Sequence, residues 1–172
     1  MGSAELVDVV DAEDRVVGRA TRAEIRAQNL RHRATYILVF NAQGQLFVHQ
    51  RTASKDVYPS YFDVAVGGVV SAGESYDQGA RRELAEELGV TAVPRPILKF
   101  QYEDATNLVN GRVYSCAYDG PLSLQAEEIV AGEWLDLDVV FERARRENFC
   151  PDGIDALLRY LDRLASVQKS EA

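Results

Sequence analysis

GVVSAGESYDQGARRELAEELGV, residues 68–90, is the stretch that decides the fold. Its second half predicts a helix from about Tyr76 to Leu88. Gly89 should stop it, since glycine takes the left-handed conformation that closes helices. Glu83, Glu86 and Glu87 stand at i, i+3 and i+4, so all three share one helical face. Ala80, Leu84 and Leu88 form another face that should pack into a core. Carboxylates so spaced repel by roughly 0.2–0.5 kcal/mol per pair on an isolated helix. A divalent cation would neutralise them. Magnesium suits the task, with manganese as a substitute, because a hard ion takes carboxylate oxygens and binds substrate phosphates. Gly67, Gly68 and Gly73 would let the backbone turn tightly against a metal or phosphate. For any single glutamate the plain alternative is a solvated acidic face.

Upstream, ELVDVVDAEDRVVGRA reads as two short strands around the turn Ala12-Glu13-Asp14. Thr21 and Glu24 make a capping box for a short helix through about Gln28. Ala34 to Phe40 is β-rich and nearly all apolar, which predicts a central strand. Asn41-Ala42-Gln43-Gly44 is a turn, and Leu46 to Arg51 should return as a hairpin partner. Tyr61 to Val66 and Val69–Val70 look like strand broken by the glycine pair. Downstream, strands are expected near Ile97 to Glu103, Arg112 to Tyr118 and Glu133 to Leu135. Asp138 is expected to cap a helix through about Arg146. A last helix, about 152–166, should face the core with Ile154, Leu157, Leu158, Leu161 and Leu164. This order implies an α/β (α+β) fold, an α/β/α sandwich with a mixed sheet.

The 172 residues suit one domain, 1–172, with an N-terminal β extension at about 5–33. A net charge of -8 argues against a nucleic-acid surface but leaves room for a small phosphorylated substrate bridged by a metal. Cys116 and Cys150 match no metal or disulfide spacing and read as reduced thiols. No signal peptide or long apolar run is visible, so a cytoplasmic protein without a membrane partner is expected. A homodimer is compatible with the sequence.

The quoted segment resembles the Nudix box, G-x5-E-x7-R-E-U-x-E-E-x-G-U with U a bulky aliphatic residue. It matches at Gly68, Glu74, Arg82, Glu83, Leu84, Glu86, Glu87, Gly89 and Val90. The resemblance implies a magnesium-dependent hydrolase that cleaves the pyrophosphate of a nucleoside diphosphate linked to a moiety X. It implies Glu86 and Glu87 as principal metal ligands. Glu83 would be a further ligand or a residue that activates water. A backbone carbonyl near Gly67 or Gly68 would complete the metal shell. Glu74 and Arg82 resemble the pair that braces the loop on the helix. Glu128 is the position match for a glutamate recruited from a later loop as ligand or base; the plain alternative is an exposed loop charge.

The stretch FNAQGQLFVHQRTASKDVYP resembles type 1 isopentenyl diphosphate isomerases, which share the fold, and places Arg51 and Lys55 where those enzymes grip a diphosphate. A solvated hairpin end is the alternative. The isomerase's catalytic cysteine falls at Gly67, a metal-binding histidine at Val69 and a catalytic glutamate at Arg112. Without those proton-transfer groups the chain is not expected to move a double bond. It is thus similar to the isomerase-like branch of Nudix hydrolases, the bacterial YfcD type. A non-catalytic, nucleotide-sensing Nudix domain is the remaining rival. His32 reads as structural or at a pocket rim, and His49 as surface or lining. Tyr102, Tyr114, Tyr118 and Trp134 are read as core, with base stacking as the alternative.

Overall fold

The computed structural model describes residues 2–172. Strands β1 (Leu6–Val10) and β2 (Val16–Thr21) pair antiparallel and lead into helix α1 (Arg22–Gln28). The expected cap of α1 is present: the Thr21 hydroxyl accepts the Glu24 N–H while the Glu24 carboxylate reaches back to the Thr21 N–H. Strand β3 (His32–Phe40) follows, then β4 (Leu46–Arg51) and the two-residue β5 (Phe62–Asp63). Helix α2 (Tyr76–Leu88) begins at the N-cap Ser75 and closes at Gly89, whose φ is +67°. Strands β6 (Arg95–Glu103), β7 (Leu108–Ala117) and β8 (Ile129–Leu135) precede helices α3 (Leu137–Ala144) and α4 (Pro151–Ser170).

The sheet is mixed. β3 runs parallel to β7 in register from His32↔Val109 to Phe40↔Ala117, whereas β6–β7, β4–β8 and β4–β5 are antiparallel. β3 is buried on both faces, as its apolar run requires. Ala34, Tyr36 and Leu38 point to a core shared with Val140 of α3 and Ala156 and Leu157 of α4. Ile37 and Val39 point to a core shared with Ala80, Leu84 and Leu88 of α2. Helices therefore cover both faces of the sheet, giving the expected sandwich. A smaller cluster of Val7, Ile25 and Val69 seats α1 beside the glycine pair.

Four expectations need correction. β3 and β4 share only the pair Phe40↔Leu46 and then part, so they are not a full hairpin. The gap is filled by the chain after β5, which bridges to β3 at Ile37↔Val66 and Ala34↔Val69. Helix α3 starts at the N-cap Asp136, which makes no side-chain cap bond; Asp138 lies inside the first turn. Helix α4 runs to Ser170, and Leu158 and Leu164 are exposed because they lie off the stripe that meets the sheet. β7 and β8 start earlier than read, at Leu108 and Ile129, which shortens both flanking loops. No helix among the described residues is long and apolar enough to cross a membrane.

At Gly89 an added Cβ would force an L residue into the left-handed region and come within 3.0 Å of the Ser123 Cβ. Gly89→Ala should lower unfolding stability by about 1–2 kcal/mol in urea titration. An unchanged midpoint would show that this helix end is not held as described.

Candidate active site

The loop before α2 is tied to the helix by one side chain. Arg82 donates from Nε and Nη2 to the two carboxylate oxygens of Glu74, at 2.9 and 3.0 Å, and from Nη2 to the Val69 carbonyl at 3.2 Å. Glu74 also accepts the Ser71 N–H at 2.9 Å. From Nη1 Arg82 reaches Glu83 at 2.7 Å and Glu86 at 3.4 Å. The same guanidinium thus folds the loop and offsets part of the acidic face.

That face is not uniform. Glu83 and Glu87 are buried, 4% and 5% exposed, while the Glu86 side chain is 41% exposed. Burial raises the Glu83 carboxyl above its ordinary range; Arg82 opposes this and the charge of Glu86 adds to it. Burial, then the neighbouring Glu83 charge, lifts Glu87 well above the usual range. The Glu87 side chain makes no hydrogen bond or ion pair among the described residues and lines a small cavity. Gly68 permits the crowding: a Cβ there would lie 3.1 Å from the Glu83 Oε1. Gly67, at φ +139°, lies so close to β3 that a Cβ would sit 2.2 Å from the Thr35 carbonyl oxygen.

The chain after β7 closes the site from the other side. The Ser123 and Gln125 N–H groups donate to the carbonyls of Leu88 and Glu87 at 2.9 and 3.0 Å. This anchors the loop that carries Glu128, and the Glu128 carboxylate meets the Lys55 ammonium in an ion pair. One small cavity is lined by Gly67, Gly68, Lys55, Glu128 and the three helix glutamates. It is also lined by Arg22 at the first turn of α1, which the sequence reading missed. Asp56 holds Arg22 and Arg26 through Nε bonds of 3.0 Å each. Burial works against the Asp56 charge, yet the two guanidiniums keep its carboxyl well below the usual range. A pair of arginines at i and i+4 behind a capping box was the one available hint.

Arg51 is placed elsewhere. It lines a second chamber behind the glycine pair, donates to the Val57 carbonyl at 2.9 Å and stands 3.7 Å from Asp63. Its Nε is buried without a partner. Asp63 and Asp152 both line this chamber. Burial and then the Asp152 charge lift the Asp63 carboxyl to about 7. Burial also raises Asp152 and pushes the Cys150 thiol up. His32 lines the same chamber, and burial keeps its ring neutral down to about pH 4. His49 is not a surface residue: it is 3% exposed, stacked on Phe47, and lowered to about 3 by burial and then by Arg51 and Lys55. Tyr114 is fully buried with its hydroxyl on Asp77, and Trp134 packs edge-on against Phe47. Arg112 lies over Tyr114 and 3.6 Å from Asp77.

The donors at the box suit a hard divalent ion in kind: three carboxylates on one helix face, one of them buried without a donor, beside a glycine pair. Among the described residues no three His, Cys, Asp or Glu are drawn together as a ready-made metal cluster. Arg82 holds Glu83 and Lys55 holds Glu128 instead.

The NUDIX domain model matches residues 30–154. The chain is 46% identical over 160 residues to the uncharacterized Nudix hydrolase PA4841 of Pseudomonas aeruginosa, covering 92% of this chain and 95% of that one. It is 41% identical over 173 residues to the uncharacterized Nudix hydrolase YfcD of Escherichia coli K12, covering 100% and 93%. The crystal structure of DR0079 from Deinococcus radiodurans superposes with a TM-score of 0.80 at 32% identity, over 91% of this chain and 99% of that one. With sandwich, box and relatives in agreement, the chain belongs to the Nudix hydrolase family, within reach of the YfcD group.

The buried acid pair sets a pH dependence. Asp63 holds a proton in the folded chain up to about pH 7, whereas an unfolded aspartate releases it near the ordinary 3.8. The folded state therefore binds more protons in that window, and stability falls as pH rises through it. Asp63→Asn removes this contribution, so the variant should gain on the wild type between pH 5 and pH 8 in denaturant titrations. Parallel curves at both pH values would contradict the burial account.

Proposed function

We propose that this chain hydrolyses a pyrophosphate linkage in a nucleoside diphosphate joined to a moiety X, with magnesium as the working ion and manganese as its substitute. The observation that carries this reading is the buried, donorless Glu87 carboxylate beside Glu83 and Glu86, facing a cavity that Lys55 and Arg22 also line. The family and the relatives named as hydrolases support it. Glu83, Glu86 and Glu87 would hold the ion, with a backbone carbonyl of the Gly67–Gly68 turn. When bound, the ion would neutralise phosphate charge and lower the pKa of a bound water.

The remaining work falls to the chain. Lys55 would bind a non-bridging phosphate oxygen through a charge-assisted bond, with Arg51 gripping from the adjoining chamber. A phosphate that takes Lys55 releases Glu128 from its ion pair. Glu128, or Glu83, would then orient the attacking water and accept its proton. The water oxygen bonds to phosphorus, the anhydride P–O bond breaks, and the leaving phosphate keeps the electron pair. Glu74 and Arg82 would act only by keeping the loop on the helix. Because α1 contributes Arg22 to the cavity, we read residues 1–172 as one working unit.

Glu86→Gln and Glu87→Gln should each lower turnover by about 10²-fold or more in a screen of pyrophosphate compounds with magnesium or manganese. Melting should hold, and in Glu87→Gln it should hold or rise, since a neutral amide escapes the burial and like-charge penalties that act on this carboxyl. Near-wild-type turnover in both variants, or no turnover of any anhydride by the wild type, would overturn the proposal.

A further inference from the structure

We infer, resting on the hydrolase reading for what the box loop serves, that strand β1 positions this loop. Asp8 of β1 and the Glu5 just before it hold the loop in the shape in which Glu74 meets Arg82. β1 lies ahead of the family domain at residues 30–154, so nothing in the box pattern calls for it.

β1 meets β3 in register only at Val9↔His32. Its first half is therefore open to another partner, and the box loop is that partner. Val7 bridges antiparallel to Ser71, and the Ala72 N–H donates to the Leu6 carbonyl at 2.9 Å. Val7 is buried with Ile25 and Val69, and the Val69 carbonyl accepts from Arg82 Nη2 at 3.2 Å. Two carboxylates then fix the tip. The Ser71 hydroxyl donates to Glu5 Oε1 at 2.6 Å, while Glu5 Oε2 stands 3.6 Å from Arg22 Nη1. The Gly73 N–H donates to Asp8 Oδ2 at 2.9 Å. Gly73 sits at φ +77°, a region that glycine enters freely, so its own backbone does not hold it there. The next residue is Glu74, whose carboxylate takes the Ser71 N–H and two Arg82 nitrogens. Arg82 in turn holds Glu83. The path from Asp8 to the acidic face thus runs through Gly73, Glu74 and Arg82.

A plain ion pair with Arg19 is the competing role for Asp8. Arg19 Nε donates to Asp8 Oδ1 at 2.9 Å. The Arg19 side chain is 60% exposed, however, and that of Asp8 only 9%. A solvated cation returns little for burying a carboxylate. A backbone N–H directed at the carboxylate gives a charge-assisted bond in its place. Burial works against the Asp8 charge, yet the Gly73 N–H and then Arg19 keep its carboxyl below the usual range. The two partners use different oxygens, so substitution separates them.

The test follows the Arg82 Nε–H signal by heteronuclear NMR in the intact, metal-free chain, assigned with Arg82→Lys. In Asp8→Ala its exchange with solvent should be at least about tenfold faster than in the wild type, because a charge-assisted bond to the loop is lost. Asp8→Asn keeps an oxygen for Gly73 and should return the rate to within about threefold of the wild type. Arg19→Ala spares the Gly73 bond and should leave the rate unchanged. At equal melting, Asp8→Ala should lower kcat about tenfold with KM within about threefold, since Lys55 and Arg51 are untouched. The substrate is the anhydride that the wild type turns over fastest in the screen above. Unchanged Arg82 exchange in Asp8→Ala, or an Asp8→Asn no better than alanine, would overturn the inference. So would an Arg19→Ala that matches Asp8→Ala, or an unchanged kcat beside faster exchange. Should Asp8→Ala fail to fold, Ser71→Ala cuts the Glu5 tie instead and should speed the same exchange about threefold; no change there overturns it too. The predicted exchange pattern in a wild type that turns over no anhydride would defeat the hydrolase and spare the role of β1. Turnover with Arg82 exchange indifferent to Asp8 would do the reverse.

Discussion

Two carboxylates buried one turn apart on α2 are the constraint around which the site is organised. Taking Glu83 and Glu87 out of water is unfavourable unless opposite charge follows them. For Glu83 that charge is local, the Arg82 guanidinium next in sequence. For Glu87 it is not, because Lys55 and Arg51 act only through space and no donor touches its oxygens. The helix therefore presents a face that is complete only with added positive charge. The two capping boxes and the left-handed Gly89 keep that face fixed while it waits.

The slot in which this happens exists because β3 and β4 separate. Had they paired along their length, the chain after β5 could not lie against β3. As it is, Gly67 approaches the Thr35 carbonyl more closely than any side chain would permit, and the turn presents its backbone toward the glutamates. The same parting opens the chamber beyond. His32 starts β3, Asp63 ends β5 and Asp152 opens α4, so three distant parts of the chain meet behind one glycine pair. A bulge where Arg51 pairs with Ile129 re-aims Arg51 at the end of β4, beside that chamber.

What could be read from the sequence was what is decided locally. Helix α2 and the shared face of Glu83, Glu86 and Glu87 follow from spacings of three and four residues, and its stop at Gly89 from the residue type, whereas the Ser75 cap was not read. The turn at Asn41–Gly44 was equally visible, but turn chemistry does not say how far two strands stay paired, and here a third segment displaced the hairpin. Burial was the harder property. The face common to three glutamates gave no sign that Glu83 and Glu87 sink while Glu86 stays out, since that depends on the loop from Ser123 to Glu128 packing over the end of α2. His49 was misjudged for a related reason: β4 is covered on both sides, so alternation along it does not separate core from surface. Arg22, Asp56, Asp63 and Asp152 had no local pattern strong enough to mark them, because only tertiary contact makes them neighbours.

The distribution of charge around the site bears on how substrate is admitted. A chain of net charge -8 repels a pyrophosphate at a distance. Close to the site, each cation already has an acid: Glu128 for Lys55, Asp63 for Arg51, Asp56 for Arg22 and Arg26. An incoming phosphate must therefore exchange partners rather than fill a vacant positive patch. That exchange should lower affinity for bare anions, and on the proposed function it would favour a ligand that arrives with its own metal. On the proposed chemistry it also orders events, because Glu128 is free to handle a proton only after a phosphate has taken Lys55. On that proposal the ion pair would hold Glu128 back until a phosphate arrives, at only the modest energy of a partly exposed salt bridge.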